Sequence, residues 1–187
     1  GTPSGTFDVY GHLAELSGRD IDRDALREMR RARYYAMVEK ERPMRGVEDY
    51  IREATARGIK LGVGSSADRQ WVHGHLHRLD LMPHFKAIRC LEDVSQAKPA
   101  PEVFLAVAEA LGTEPARTLV LEDSPPGLRA AKAAGMWCVA VPNTITQELE
   151  MPPADFQTHS LAELPLPTLL DAIRAIQDER AHGNHQQ

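Results

Sequence analysis

The chain has 187 residues, 42% of them hydrophobic and 26% charged, with a net charge of −5. That length carries one domain with a substantial core plus a small appendage, in an ordinary globular composition. The negative balance argues against a general nucleic-acid or membrane-surface binder, while leaving room for a local basic pocket.

No apolar run reaches transmembrane length, and the opening GTPSGT has neither the basic nor the apolar character of a signal peptide. Val9, Leu13 and Leu16 fall at i, i+4 and i+7 and predict a helix over 8–17, ended by Gly18. Leu26, Met29, Tyr34, Met37 and Val38 predict a second helix over 22–41. Its cluster of Arg27, Arg30, Arg31 and Arg33 suits either a phosphorylated ligand or a solvated face. Pro43 and Gly46 mark a boundary. A regular alternation follows: helix 47–57, strand 59–63, helix 68–79, strand 85–90, helix 101–111, strand 118–121, helix 126–134 and strand 137–141. Residues 143–153 are rich in turn formers, Phe156 opens an edge strand, 166–180 form a closing helix, and the tail HGNHQQ is expected to be disordered. Strand and helix alternating in this way predict an α/β fold with a doubly wound parallel sheet. Cys90 and Cys138 lie inside apolar runs with no CxxC spacing, as expected for reduced core thiols of a cytoplasmic protein.

Three strand ends carry polar residues of complementary type, and open α/β sheets bind their ligands at the carboxyl ends of strands. After the strand ending at Val63 come Gly64, Ser65 and Ser66, where hydroxyls beside the N–H groups of a helix start form an anion site. Ser66 serves equally well there as the helix N-cap. Lys98 stands before Pro99 and Pro101, held out of helical geometry just ahead of a helix, as a point charge suited to phosphate. Glu122 and Asp123 are adjacent carboxylates at the end of the 118–121 strand. At about 4 Å they repel by roughly 4 kcal/mol at an effective dielectric near 20, which a cation between them would remove. A solvated loop pair is the other reading of these two acids. Taken together, hydroxyl, ammonium and twin acids suit a phosphate held beside a divalent cation. Mg²⁺ fits best, since it accepts one or two carboxylates, several waters and a phosphate oxygen.

These segments closely resemble the haloacid dehalogenase superfamily of phosphohydrolases, in its β-phosphoglucomutase-like branch with a helical cap. LGVGSSADR is similar to the second motif of that family, KPAPEVF to the third and VLEDSPPGLRAAKAAG to the fourth, within a resemblance over about 45–165. The resemblance implies Ser65 and Ser66 on the substrate phosphate and Lys98 as the charge that steadies nucleophile and phosphoryl group. It implies Glu122 and Asp123 on the Mg²⁺ side, a small phosphorylated metabolite as substrate, and either phosphatase or sugar phosphomutase activity. Residues 1–44 correspond to the rear of the cap, and 45–187 to the α/β core.

The family mechanism also uses a DxDG motif after an apolar strand. Its first aspartate attacks phosphorus to give an aspartyl-phosphate, and its second is the general acid/base. Here Phe7-Asp8-Val9-Tyr10-Gly11 is only superficially similar, with no strand-forming run before Asp8. The expectation is that the natural chain extends further at its N-terminus, and that this chain lacks turnover and loses ladder partners on two neighbouring strands. A catalytically dead phosphate-binding or scaffolding protein is the alternative from another class. A receiver domain would need an acceptor aspartate at a middle strand end, a position that only Asp123 could fill.

Other motifs carry less. His73 and His77 share a helix face at the i, i+4 spacing of some zinc sites, but no third ligand is near in sequence. Gly62-Val63-Gly64 lacks the third glycine of a dinucleotide fingerprint, and no GxSxG is present.

Overall fold

The fold is given by a computed structural model that describes residues 8–183, so the expectations for GTPSGT and for the last four residues fall outside it. The chain separates into two compact units, Gly1–Arg42 and Pro43–Gln187.

In the first unit, α1 (Val9–Ser17) and α2 (Arg23–Val38) begin on aspartates. Asp8 caps α1 by accepting from the Gly11 N–H at 3.0 Å, and its carboxylate pairs with Arg23 at 2.9 Å. Asp22 caps α2 through the N–H groups of Asp24 and Ala25. An aspartate just before a helix satisfies donors that have no partner inside it. Asp8 therefore occupies a helix start, not a strand end.

The second unit follows the predicted alternation. Its elements are α3 (Val47–Ala56), β1 (Leu61–Gly64), α4 (Arg69–Arg78), β2 (Phe85–Arg89), α5 (Glu102–Leu111), β3 (Leu119–Glu122), α6 (Pro125–Ala133), β4 (Trp137–Ala140), β5 (Phe156–Gln157) and α7 (Leu166–Gly183). Every ladder is parallel, as crossover helices require. The local reasons are legible at each boundary. Ser124 caps α6 and Pro125 and Pro126 fill its first turn, where a missing N–H costs nothing. Gly112 ends α5 in the left-handed region.

The strands form two ladders, β1-β2 and β3-β4-β5, and not one continuous sheet. Both ladders lie in one layer. On one face α5 covers them: Val107 and Leu111 pack on Ala87 of β2, and Val103, Phe104 and Ala108 join Val120 of β3. On the other face α3 and α7 supply Tyr50, Ala54, Leu169 and Ile173, and both Leu61 of β1 and Leu119 of β3 pack against them. Among the described residues no backbone hydrogen bond joins β1 to β3. The burial pattern follows: all of β4 is buried, whereas β1 is only half-buried and Leu121 of β3 is 38% exposed.

Candidate functional site

Lys98 sits ahead of α5, joined to Pro99 by a cis peptide bond. Its ammonium donates to Glu122 Oε2 at 2.8 Å, with only 11% and 9% of the two side chains exposed. It also lies 4.4 Å from the centre of the Phe104 ring, within cation–π range. The same ring meets the end of β1, where a Cβ on Gly64 would come to 3.0 Å from Phe104 Cδ1. One aromatic side chain thus backs both the Lys98 ammonium and the strand end that leads into Ser65.

Glu122 is fully engaged. Its Oε1 accepts from the Ser124 hydroxyl at 2.5 Å while Oε2 holds Lys98. Ser124 Oγ in turn accepts from Gly127 N–H at 3.2 Å, which is its capping role. The carboxyl group lies directly over Gly127, where an added Cβ would be 2.0 Å from Glu122 Cδ. A residue with any side chain at 127 would therefore contest the space that Glu122 uses.

Asp123 goes its own way. β3 extends through Glu122, one residue beyond the predicted end, and successive side chains along a strand point to opposite sides. The Asp123 carboxylate reaches solvent and accepts from Asn143 Nδ2 at 2.5 Å. Desolvation by the surrounding protein and then the Glu122 charge push its pKa up, against the opposing pull of its own N–H, Lys98 and Asn143.

Ser65 continues from β1: its N–H donates to the Arg89 carbonyl at 2.9 Å, and its Oγ accepts from Ala67 N–H at 3.1 Å. Ser66 is exposed and is not the N-cap of α4. That role belongs to Asp68, whose carboxylate accepts from Trp71 N–H at 2.7 Å. The Ser65–Ala67 turn spends the first two residues of the loop, and the cap falls to the next capable side chain.

The donor set suits a hard cation. Glu122 already accepts from Lys98 and Ser124, whereas Asp123, which accepts from its own N–H and from Asn143, lies at the solvent edge, as Mg²⁺ asks of a site in which it retains most of its waters. Among the described residues no group of three or more His, Cys, Asp or Glu side chains could cage a metal. His75 packs edge-on against Trp71, with ring centres 4.2 Å apart.

In the sequence Phe104 and Gly127 fall inside predicted helices and Asn143 at the start of a turn-rich stretch, none with a role at the site. Each acts through a contact distant in sequence. Only the short helix-start glycine after paired prolines was a local signal of close approach.

The family model for haloacid dehalogenase-like hydrolases matches residues 9–141. The protein named "Putative phosphatase YhcW" from Bacillus subtilis is 40% identical over 175 residues, covering 94% of this chain and 79% of that protein. Hexitol phosphatase B of Escherichia coli is 33% identical over 141 residues, covering 74% of this chain and 64% of its own length. Among solved structures, CbbY from Rhodobacter sphaeroides in complex with xylulose-(1,5)bisphosphate aligns with a TM-score of 0.71 and 29% identity, over 81% of this chain and 70% of that one.

Proposed function

This chain belongs to the haloacid dehalogenase-like hydrolase family, and from that premise we propose Mg²⁺-dependent hydrolysis of a small phosphorylated metabolite, in a cytoplasmic setting. The observation that carries the reading is Lys98, a nearly buried cation fixed between Phe104 and Glu122, the residue that ends β3 and precedes Asp123. Relatives named as phosphatases and a neighbour crystallised with a sugar bisphosphate support it.

In this reading the ammonium keeps one N–H on Glu122 and turns its remaining donors to a phosphoryl oxygen. The Ser65 hydroxyl accepts from Ala67, and its own proton is left to donate to a second oxygen. Glu122 holds Lys98 in place, and Asp123 holds the cation. Mg²⁺ would neutralise phosphoryl charge and orient the group for in-line attack.

Bond making in the family falls to an aspartate on a further strand. Its oxygen bonds to phosphorus as the ester bond to the metabolite breaks, and water then releases phosphate from the acyl phosphate. In this reading such a strand pairs with the open edges of β1 and β3. The described residues supply no such aspartate, since Asp8 is a helix cap bound to Arg23. A second reading is a phosphate-binding or scaffolding protein, in which the Lys98–Glu122 pair holds an anion without turnover. A phosphomutase would share the first half-reaction.

The test is hydrolysis of p-nitrophenyl phosphate with Mg²⁺, by this chain and by a form carrying a DxDG-bearing strand ahead of Asp8, with phosphate binding titrated in parallel. Phosphate binding by both and turnover by the second alone is expected, each lost on Lys98→Ala. Binding without turnover in either form would favour the binding protein, and absence of both would overturn the site.

A further inference from the structure

Where β4 ends, the chain turns at Asn143, and every polar atom of that side chain is engaged. Oδ1 accepts from the N–H groups of Ile145 at 2.8 Å and Thr146 at 3.0 Å. The Asn143 N–H donates to Thr146 Oγ1 at 3.0 Å, and Nδ2 donates to Asp123 Oδ2 at 2.5 Å. Two N–H donors on Oδ1 settle which way the amide faces, so the group presented to Asp123 is the NH₂ and not the oxygen. The ladder sets the approach. Glu122 is paired with Ala140, and the Val141 N–H donates to the Glu122 carbonyl at 2.8 Å, so Asp123 and Asn143 leave adjacent parallel strands side by side.

We propose that Asn143 is a positioning residue for Asp123, engaging one carboxylate oxygen so that the other is held toward the divalent cation. The inference rests on the reading of Asp123 as a cation ligand. An isolated exposed aspartate sweeps through several rotamers, and each must be frozen when a metal binds. A neighbour clamped by its own turn removes part of that cost, which is how outer-shell partners of metal ligands act in general.

The turn and the clamp can be separated. Asn143→Ser leaves a hydroxyl to accept from the Ile145 and Thr146 N–H groups but is too short to reach Asp123, whereas Asn143→Ala removes both functions. The measurement is Mn²⁺ binding to the full chain, followed by the electron paramagnetic resonance signal of free ion, with thermal melting alongside. The expected result is that both variants bind Mn²⁺ about tenfold or more weakly, that Asn143→Ser melts near the parent, and that Asp123→Asn loses the site. Parent-like Mn²⁺ affinity in Asn143→Ser would overturn the positioning role alone. No Mn²⁺ binding by the parent, or binding unaffected by Asp123→Asn, would overturn the cation reading and this inference with it.

Discussion

Gly127→Ala is the sharpest test of how the site is held. A Cβ at 127 would stand 2.0 Å from Glu122 Cδ and 2.1 Å from Oε1, so the carboxylate must leave its place. Leaving breaks its bonds to Lys98 at 2.8 Å and Ser124 at 2.5 Å, and strands the ammonium of a lysine whose side chain is only 11% exposed. Separating a buried ion pair costs about 3–5 kcal/mol. Alanine in place of glycine returns up to about 1 kcal/mol of helix propensity. The net loss is then about 2–4 kcal/mol, and at about 2–4 °C per kcal/mol for a chain of this size the melting temperature falls by roughly 5–15 °C. The assay is urea denaturation of the parent, Gly127→Ala, Glu122→Ala and the double variant. With Glu122 already truncated, Gly127→Ala should be neutral or slightly stabilising. An equal penalty for Gly127→Ala in both backgrounds would refute the proposed conflict, and would place the cost in the backbone of α6.

Two titrating groups give opposite expectations. Burial, with the Glu122 charge, holds the Asp123 carboxyl above the usual aspartate range, so the folded state binds this proton more tightly than the unfolded chain. Ionising it costs stability as pH climbs from the unfolded aspartate pKa through the folded one. Asp123→Asn, which keeps an acceptor for Asn143, should therefore outlast the parent in denaturant at neutral pH without divalent cation. That advantage should vanish in acid. Burial works against the Asp155 charge too, but the Lys132 ammonium and the Cys138 N–H, both at 2.8–2.9 Å, prevail and hold it below the usual range. Its stabilisation is present above the unfolded pKa and is lost as pH falls through the folded one. Asp155→Asn should cost about 1–3 kcal/mol near pH 7, with the two denaturation curves converging in acid.

Most of the second unit could be read from punctuation. Gly58, Gly112, Pro125 and Gly135 bracket runs whose period is clear, and the observed elements fall within two residues of those expected except α7, which runs three residues further, to Gly183, through the first two residues of the tail expected to be disordered. Small shifts nonetheless carry chemical weight. Extending β3 by one position, to Glu122, gives two neighbouring acids separate partners, Lys98 and Ser124 for Glu122 and Asn143 for Asp123, which adjacency in the sequence does not reveal. Ser65, Ser66 and Asp68 are all capable caps within four positions, so composition alone could not select Asp68. Asn143 was out of reach for a different reason. Its contact with Asp123 exists only once β3 and β4 are paired in register, and no local pattern encodes that pairing.

The division of the strands into two ladders has a mechanical corollary. Among the described residues no peptide-to-peptide hydrogen bond joins β1 to β3, and side chains of α5 above and of α3 and α7 below hold the two ladders together, much as two planks are riveted to common crossbeams. Trimming a rivet such as Phe104, which touches both planks and carries the Lys98 charge, loosens the joint and misaims the cation in one stroke. Damage to α6, which packs on β3, β4 and α5, reaches the joint through that shared crossbeam.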